Sequence, residues 1–90
     1  MFDITYHPSV VAEDIPNLSG VWNKKIRVAI EKRLTTKPDL YGKPLRRSLE
    51  GYRKFRVGDY RVVFRVRDNT VIILVIQHRS VVYTKAVKRT

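Results

Sequence analysis

The stretch YRKFRVGDYRVVFRVRDNTVIILVIQH, residues 52–78, holds three runs of strand-forming residues separated by the turn pairs Gly58-Asp59 and Asp68-Asn69. Two-residue loops of this chemistry join antiparallel strands. The spacing predicts an antiparallel meander over Tyr52 to Val57, Tyr60 to Arg67 and Thr70 to His78. Val71 to Ile76 is apolar without alternation, so the last strand is expected inside the sheet, covered on both faces.

A two-residue turn at Gly58-Asp59 sets Val57 opposite Tyr60, Arg56 opposite Arg61, Phe55 opposite Val62 and Lys54 opposite Val63. Alternation then sends Phe55, Val57, Tyr60, Val62, Phe64 and Val66 to one face. Tyr52, Lys54, Arg56, Arg61 and Arg65 go to the other. Extending the same register through Asp68-Asn69 puts His78 on the basic face beside Arg61, with Arg79 and Tyr83 following. Like charges directly opposite each other weaken a sheet, so the Arg56 and Arg61 pair asks for a negative group between its members. Lys54, Arg56, Arg61, His78, Arg79 and Tyr83 together have the chemistry of a phosphate-binding concavity with groups able to move a proton. A row of solvated arginines is the alternative, and the pattern alone leaves both open.

Outward from this core, FDITY (2–6) alternates as a short strand ending at Pro8. Val11, Ile15 and Leu18 fall at helical spacing, with Pro16 ending that helix early. Ser19 can cap a second helix, in which Trp22, Ile26, Ala29, Ile30 and Leu34 form an apolar stripe and Lys24, Lys25, Arg27, Glu31 and Lys32 face solvent. KPDLYGKP (37–44) reads as a loop. SVVYTKAVKR, near the end, is expected to cover part of the sheet as a short helix. The fold class expected is α+β: an N-terminal strand and helical hairpin packed on a small antiparallel sheet, closed by a short C-terminal helix, in one domain over residues 1–90.

Composition narrows the partners. The chain has 90 residues, with 19 Lys and Arg against 8 Asp and Glu, a formal net charge of +11. Such self-repulsion is relieved by a polyanion: nucleic acid, an acidic protein segment or an anionic membrane surface. The longest apolar run, Val71 to Ile76, is too short to span a bilayer. MFDITYHPS lacks a basic region followed by an apolar stretch, so no secretory signal is read and a soluble cytoplasmic protein is expected. Cysteine is absent, which excludes disulfides, a thiol nucleophile and thiolate metal sites. His7 and His78, far apart in sequence, make a poor metal site, and neither metal nor cofactor is expected.

The strings KFRVGDYRVVFRV (54–66) and QHRSVVY (77–83) resemble the RelE/ParE superfamily of bacterial and archaeal toxins, weakly in the helices and clearly over the last forty residues. The resemblance implies two helices on a small antiparallel sheet, as read above. For the RelE branch it implies a ribosome-dependent endoribonuclease that cuts messenger RNA in the A site, without metal, by attack of a ribose 2′-hydroxyl on the adjacent phosphate. Its basic strand residues fall on Lys54 and Arg56, its central arginine on Arg61, its later arginine on Arg79 and its near-terminal tyrosine on Tyr83. In those roles Arg61 and Arg79 stabilise charge on the phosphoryl oxygens, while Lys54 and Arg56, with Arg65 and Tyr52 on the same face, hold RNA. Tyr83 stacks on a base or shares in proton transfer, and His78 has a side chain suited to acid/base work near neutrality. Structural roles stay open for both, His78 ending the strand and Tyr83 sealing the sheet. Where RelE has a second lysine, this chain has Tyr52 and Arg53, and the carboxylate, histidine and tyrosine arrangement of the YoeB branch does not map cleanly. The general base is therefore open between His78 and Lys54.

The same resemblance implies a cognate antitoxin, with an acidic or amphipathic segment that folds on binding, and contacts with 16S rRNA. The ParE branch, which inhibits DNA gyrase, is one alternative function, although HRSVVY favours the nuclease. A noncatalytic RNA-binding protein using the same basic face is another.

Overall fold

The computed structural model describes residues 1–90. Five strands, β1 (Asp3–Tyr6), β2 (Lys43–Pro44), β3 (Arg53–Val57), β4 (Tyr60–Arg67) and β5 (Thr70–His78), form one sheet in the order β1-β5-β4-β3-β2. The meander is the one expected, and both of its turns hold a residue at positive φ, Gly58 at 59° and Asp68 at 55°. Its β3–β4 register is also as read, with Arg56 opposite Arg61. The N-terminal strand joins the sheet itself, pairing with β5 in parallel, so the sheet is mixed rather than wholly antiparallel.

Helices cover one face. A π-helical turn over Val10–Asp14 leads to α1 (Gly20–Ala29), which runs on as a second π turn, Ile30–Leu34. Ser19 caps α1, its hydroxyl accepting from the Trp22 N–H at 3.4 Å. Ile26, Ile30 and Leu34 are fully buried, as the stripe predicts, against Phe55, Val62, Phe64, Val71, Ile73 and Ile76. The first helix is rotated from expectation. Its π hydrogen bond, from the Ile15 N–H to the Val10 carbonyl at 2.9 Å, turns Val10 and Asp14 inward and leaves Val11 exposed.

The opposite face is half covered. Helix α3 (Val82–Arg89) lays Val82 and Ala86 on Val63, Leu74 and Val75, with Leu49 of a 3-10 turn (Arg47–Leu49) at the side. Burial of β5 on both faces accounts for its unbroken apolar sequence. The expected loop at Lys37 to Pro44 contains a helical turn, α2 (Pro38–Tyr41), and the two-residue β2, which pairs with β3. No helix is long and apolar enough to cross a membrane.

Candidate functional site

Beyond the edge of α3, the uncovered half of this second face is a concavity of about 260 Å³ lined by Tyr41, Lys43, Lys54, Arg56 and Arg61. Strand pairing assembles it. Lys43 stands opposite Lys54 across β2 and β3, and Arg56 stands opposite Arg61 across β3 and β4. Two successive cross-strand pairs are thus pairs of like charge, each unfavourable to the sheet by itself.

The ion pairs of the chain involve Arg53 with Asp39 and Arg89 with Glu13 and Asp14, so none of the four lining cations has a carboxylate partner. The Arg61 guanidinium instead folds back on its own turn, Nη1 donating to the carbonyls of Gly58 at 2.9 Å and Tyr60 at 3.0 Å. These carbonyl dipoles supply part of the negative charge that the Arg56 and Arg61 pair lacks. Arg56, Lys54 and Lys43 remain free to meet an anion.

The structure therefore brings Lys54, Arg56 and Arg61 together, as read from alternation. Arg79 lies at the same end of the sheet, because its N–H donates to the Asp59 carbonyl at 2.9 Å. Tyr83, in the first turn of α3, is half-buried against the Val63 and Leu74 cluster on the same face. Arg65 and Tyr52 also share that face but pair with each other, the guanidinium 5.9 Å from the ring centre, outside the concavity.

His78 is displaced to the other face. Between Val63 and Phe64 the partner jumps from Val75 to Ile73, so Leu74 is an extra residue in β5. A bulge of one residue inverts the facing of everything beyond it. Leu74 and Val75 both lie on the α3 face, Gln77 falls opposite Arg61, and His78 falls opposite Tyr60. There the imidazole meets the Tyr60 ring edge-on at 5.9 Å, Tyr60 packs on Trp22 at 5.0 Å, and His78 Nδ1 lies 2.9 Å from the Ser80 hydroxyl.

Sequence reading missed Tyr41 and Lys43, hidden in a segment rich in proline and glycine. It also missed Asp14, whose carboxylate is buried at the open edge of β5. Asp14 accepts from the Ile76 N–H at 2.8 Å, Gln77 Nε2 at 2.6 Å and both terminal nitrogens of Arg89. Ordinary helical spacing, which turns Val11 inward, gave no signal for it, because the π turn is what sets Asp14 on the inward side with Val10.

A family model described as the ParE toxin of the type II toxin-antitoxin system, parDE, matches residues 13–83. The chain belongs to the RelE/ParE family of type II toxin-antitoxin toxins. Toxin RelE of Mycobacterium tuberculosis is 36% identical over 86 residues, covering 90% of this chain and 89% of that protein. Toxin RelG of the same organism is 43% identical over 54 residues, 58% of this chain and 62% of that protein. Among solved structures, a chain of the toxin-antitoxin complex RelBE2 from Mycobacterium tuberculosis superposes with a TM-score of 0.75 at 30% identity, covering 87% of this chain and 98% of the other. The YoeB-YefM complex from Staphylococcus aureus gives 0.69 at 21% identity, covering 87% and 97%, a likeness of fold.

Proposed function

We propose that this toxin is a ribosome-dependent endoribonuclease that cuts messenger RNA in the A site, and that the concavity beside α3 is where the scissile phosphate binds. The observation that carries this reading is the set of four cations, Lys43, Lys54, Arg56 and Arg61, lining one concavity without a carboxylate among them. In the proposed reaction the ribose 2′-oxygen attacks the adjacent phosphorus and the bond to the 5′-oxygen breaks. A 2′,3′-cyclic phosphate and a 5′-hydroxyl result. Arg61, anchored by the turn carbonyls, and Arg79 meet the charge that develops on the phosphoryl oxygens, while Arg56 holds a neighbouring phosphate. Lys54 takes the 2′-hydroxyl proton in preference to His78, which faces the aromatic cluster on the other side of the sheet. Tyr83 stacks on a base or returns a proton to the leaving oxygen. No metal enters this scheme. A cognate antitoxin is proposed as the protein partner, supported by relatives solved as toxin-antitoxin complexes.

Purified protein incubated alone and with ribosomes carrying a defined message, followed by mapping of RNA ends, tests the reading. Cleavage with ribosomes, leaving cyclic phosphate ends and falling about 10²- to 10³-fold in Arg61→Ala, is expected. Intact message under both conditions overturns it. A match to the ParE toxin model favours inhibition of DNA gyrase as the second reading, and a supercoiling assay on the same preparation decides that case.

A further inference from the structure

Tyr41 and Lys43 flank Gly42 and line the concavity, and this short segment is packed closely on the sheet. A Cβ on Gly42 would run into the Phe64 ring. The Gly42 N–H donates to the Pro38 carbonyl at 2.9 Å, and its carbonyl accepts from Arg53 Nη1 at 2.8 Å. The Arg33 guanidinium lies over the Tyr41 ring, 5.6 Å from its centre. With the residue still 41% exposed and lining the concavity, Tyr41 offers a large aromatic surface that is packed in place before any ligand arrives. Preorganisation of this kind lowers the ordering cost of binding.

The cations beside it are arranged in a row, with Lys43 opposite Lys54 and then Arg56 opposite Arg61. A row of cations ending in a fixed aromatic ring is the pattern that tracks a single-stranded backbone and stacks an unpaired base. A duplex presents its phosphates but keeps its base faces covered, so it would use the cations and leave the ring idle.

Resting on the nuclease reading for the identity of the strand, we infer that Tyr41 is a base-stacking platform and that Lys43 holds the phosphate next to the stacked base. Together they make the site selective for single-stranded RNA with an unstacked nucleotide one step along the cation row. Tyr41 is then a specificity-determining residue, acting on which nucleotide is seated rather than on the bond that breaks.

The test is fluorescence anisotropy with a labelled single-stranded 2′-O-methyl RNA hexanucleotide, which 2′-hydroxyl attack cannot cut, and a series with one position abasic. Wild type should lose about tenfold in affinity when one particular base is removed. Tyr41→Ala should bind the intact probe about tenfold more weakly and be indifferent to that removal, while Tyr41→Phe should behave as wild type. Lys43→Ala should weaken every probe equally and lower the salt slope by about one. Tyr41→Ala that binds as tightly as wild type, or that still responds to the same abasic position, overturns the inference, as does wild type indifferent to every abasic position. Because the probe is inert, the two readings fail separately. The stacking signature in a protein that cuts no message keeps this inference and removes the nuclease, and cutting without the signature does the reverse.

Discussion

The Arg89 guanidinium grips the Asp14 carboxylate with both terminal nitrogens, at 2.7 and 2.8 Å, and so ties the last turn of α3 to the π turn before α1. Arg89 also donates to the Leu74 carbonyl at 3.1 Å and to Glu13 Oε2 at 3.0 Å. The network closes the edge of β5 beyond the reach of β1. Hydrogen bonding to Asp14 outweighs burial and raises the already high arginine pKa, so its charge persists at any pH where the fold is studied.

Both side chains are buried, 7% and 0% exposed, so removing one partner strands the other. Arg89→Ala should lower the unfolding free energy by about 3 to 5 kcal/mol, read from urea midpoints. A loss below about 1 kcal/mol would mean that water reaches the Asp14 carboxylate and that the clamp is not essential to α3.

Gly42→Ala separates steric from conformational effects. Gly42 has φ −103°, which alanine adopts freely, so any loss comes from crowding, chiefly against the Phe64 ring and also against the Pro38 carbonyl. Overpacking of this type costs about 1 to 3 kcal/mol. Thermal unfolding should show the loss. Chemical shifts of Tyr41 and Lys43 should move with it, since both hang on the same short segment.

Where side-chain alternation is strict, the architecture was legible. Phe55, Val57, Tyr60 and Val62 against Lys54, Arg56 and Arg61 specify the β3–β4 register, because a slip of one residue would bury the charges. No such signal exists in Val71 to Ile76. Both faces of β5 are buried there, so an extra Leu74 leaves the pattern equally apolar, and the inversion that carries His78 away from Arg61 is silent in the sequence. Lys43 entered the site through a two-residue strand, too short for any period to appear. Asp14 was hidden by a π turn, which shifts the inward face from the one that ordinary helical spacing indicates.

Arg56 should trade stability for binding. It is exposed, stands opposite Arg61 and has no acidic partner. Arg56→Thr removes the like-charge pair and should raise stability by about 0.2 to 1 kcal/mol while weakening RNA binding. Repeating the melts in high salt is the check on cause, because screening should shrink the difference between the two proteins. A gain that is unchanged by salt would assign it to strand preference instead.

Alkaline pH should expose the environment of Tyr6. Its half-buried hydroxyl is pushed above its ordinary value near 10, mainly by burial, with Glu31 adding to the rise and Arg27 opposing it. A group that holds its proton more tightly when folded contributes stability that is complete below the unfolded pKa and is lost as pH rises through the folded one. Wild type should therefore keep its urea midpoint up to about pH 10 and lose it above, through ionisation of Tyr6 in the unfolded chain. Tyr6→Phe has no such proton to hold, so its midpoint should fall less steeply over the same interval. Glu31→Gln should lie between the two, because it relieves the lesser cause of the shift and leaves burial in place. Parallel curves for wild type and Tyr6→Phe would show that water solvates the Tyr6 oxygen in the folded protein.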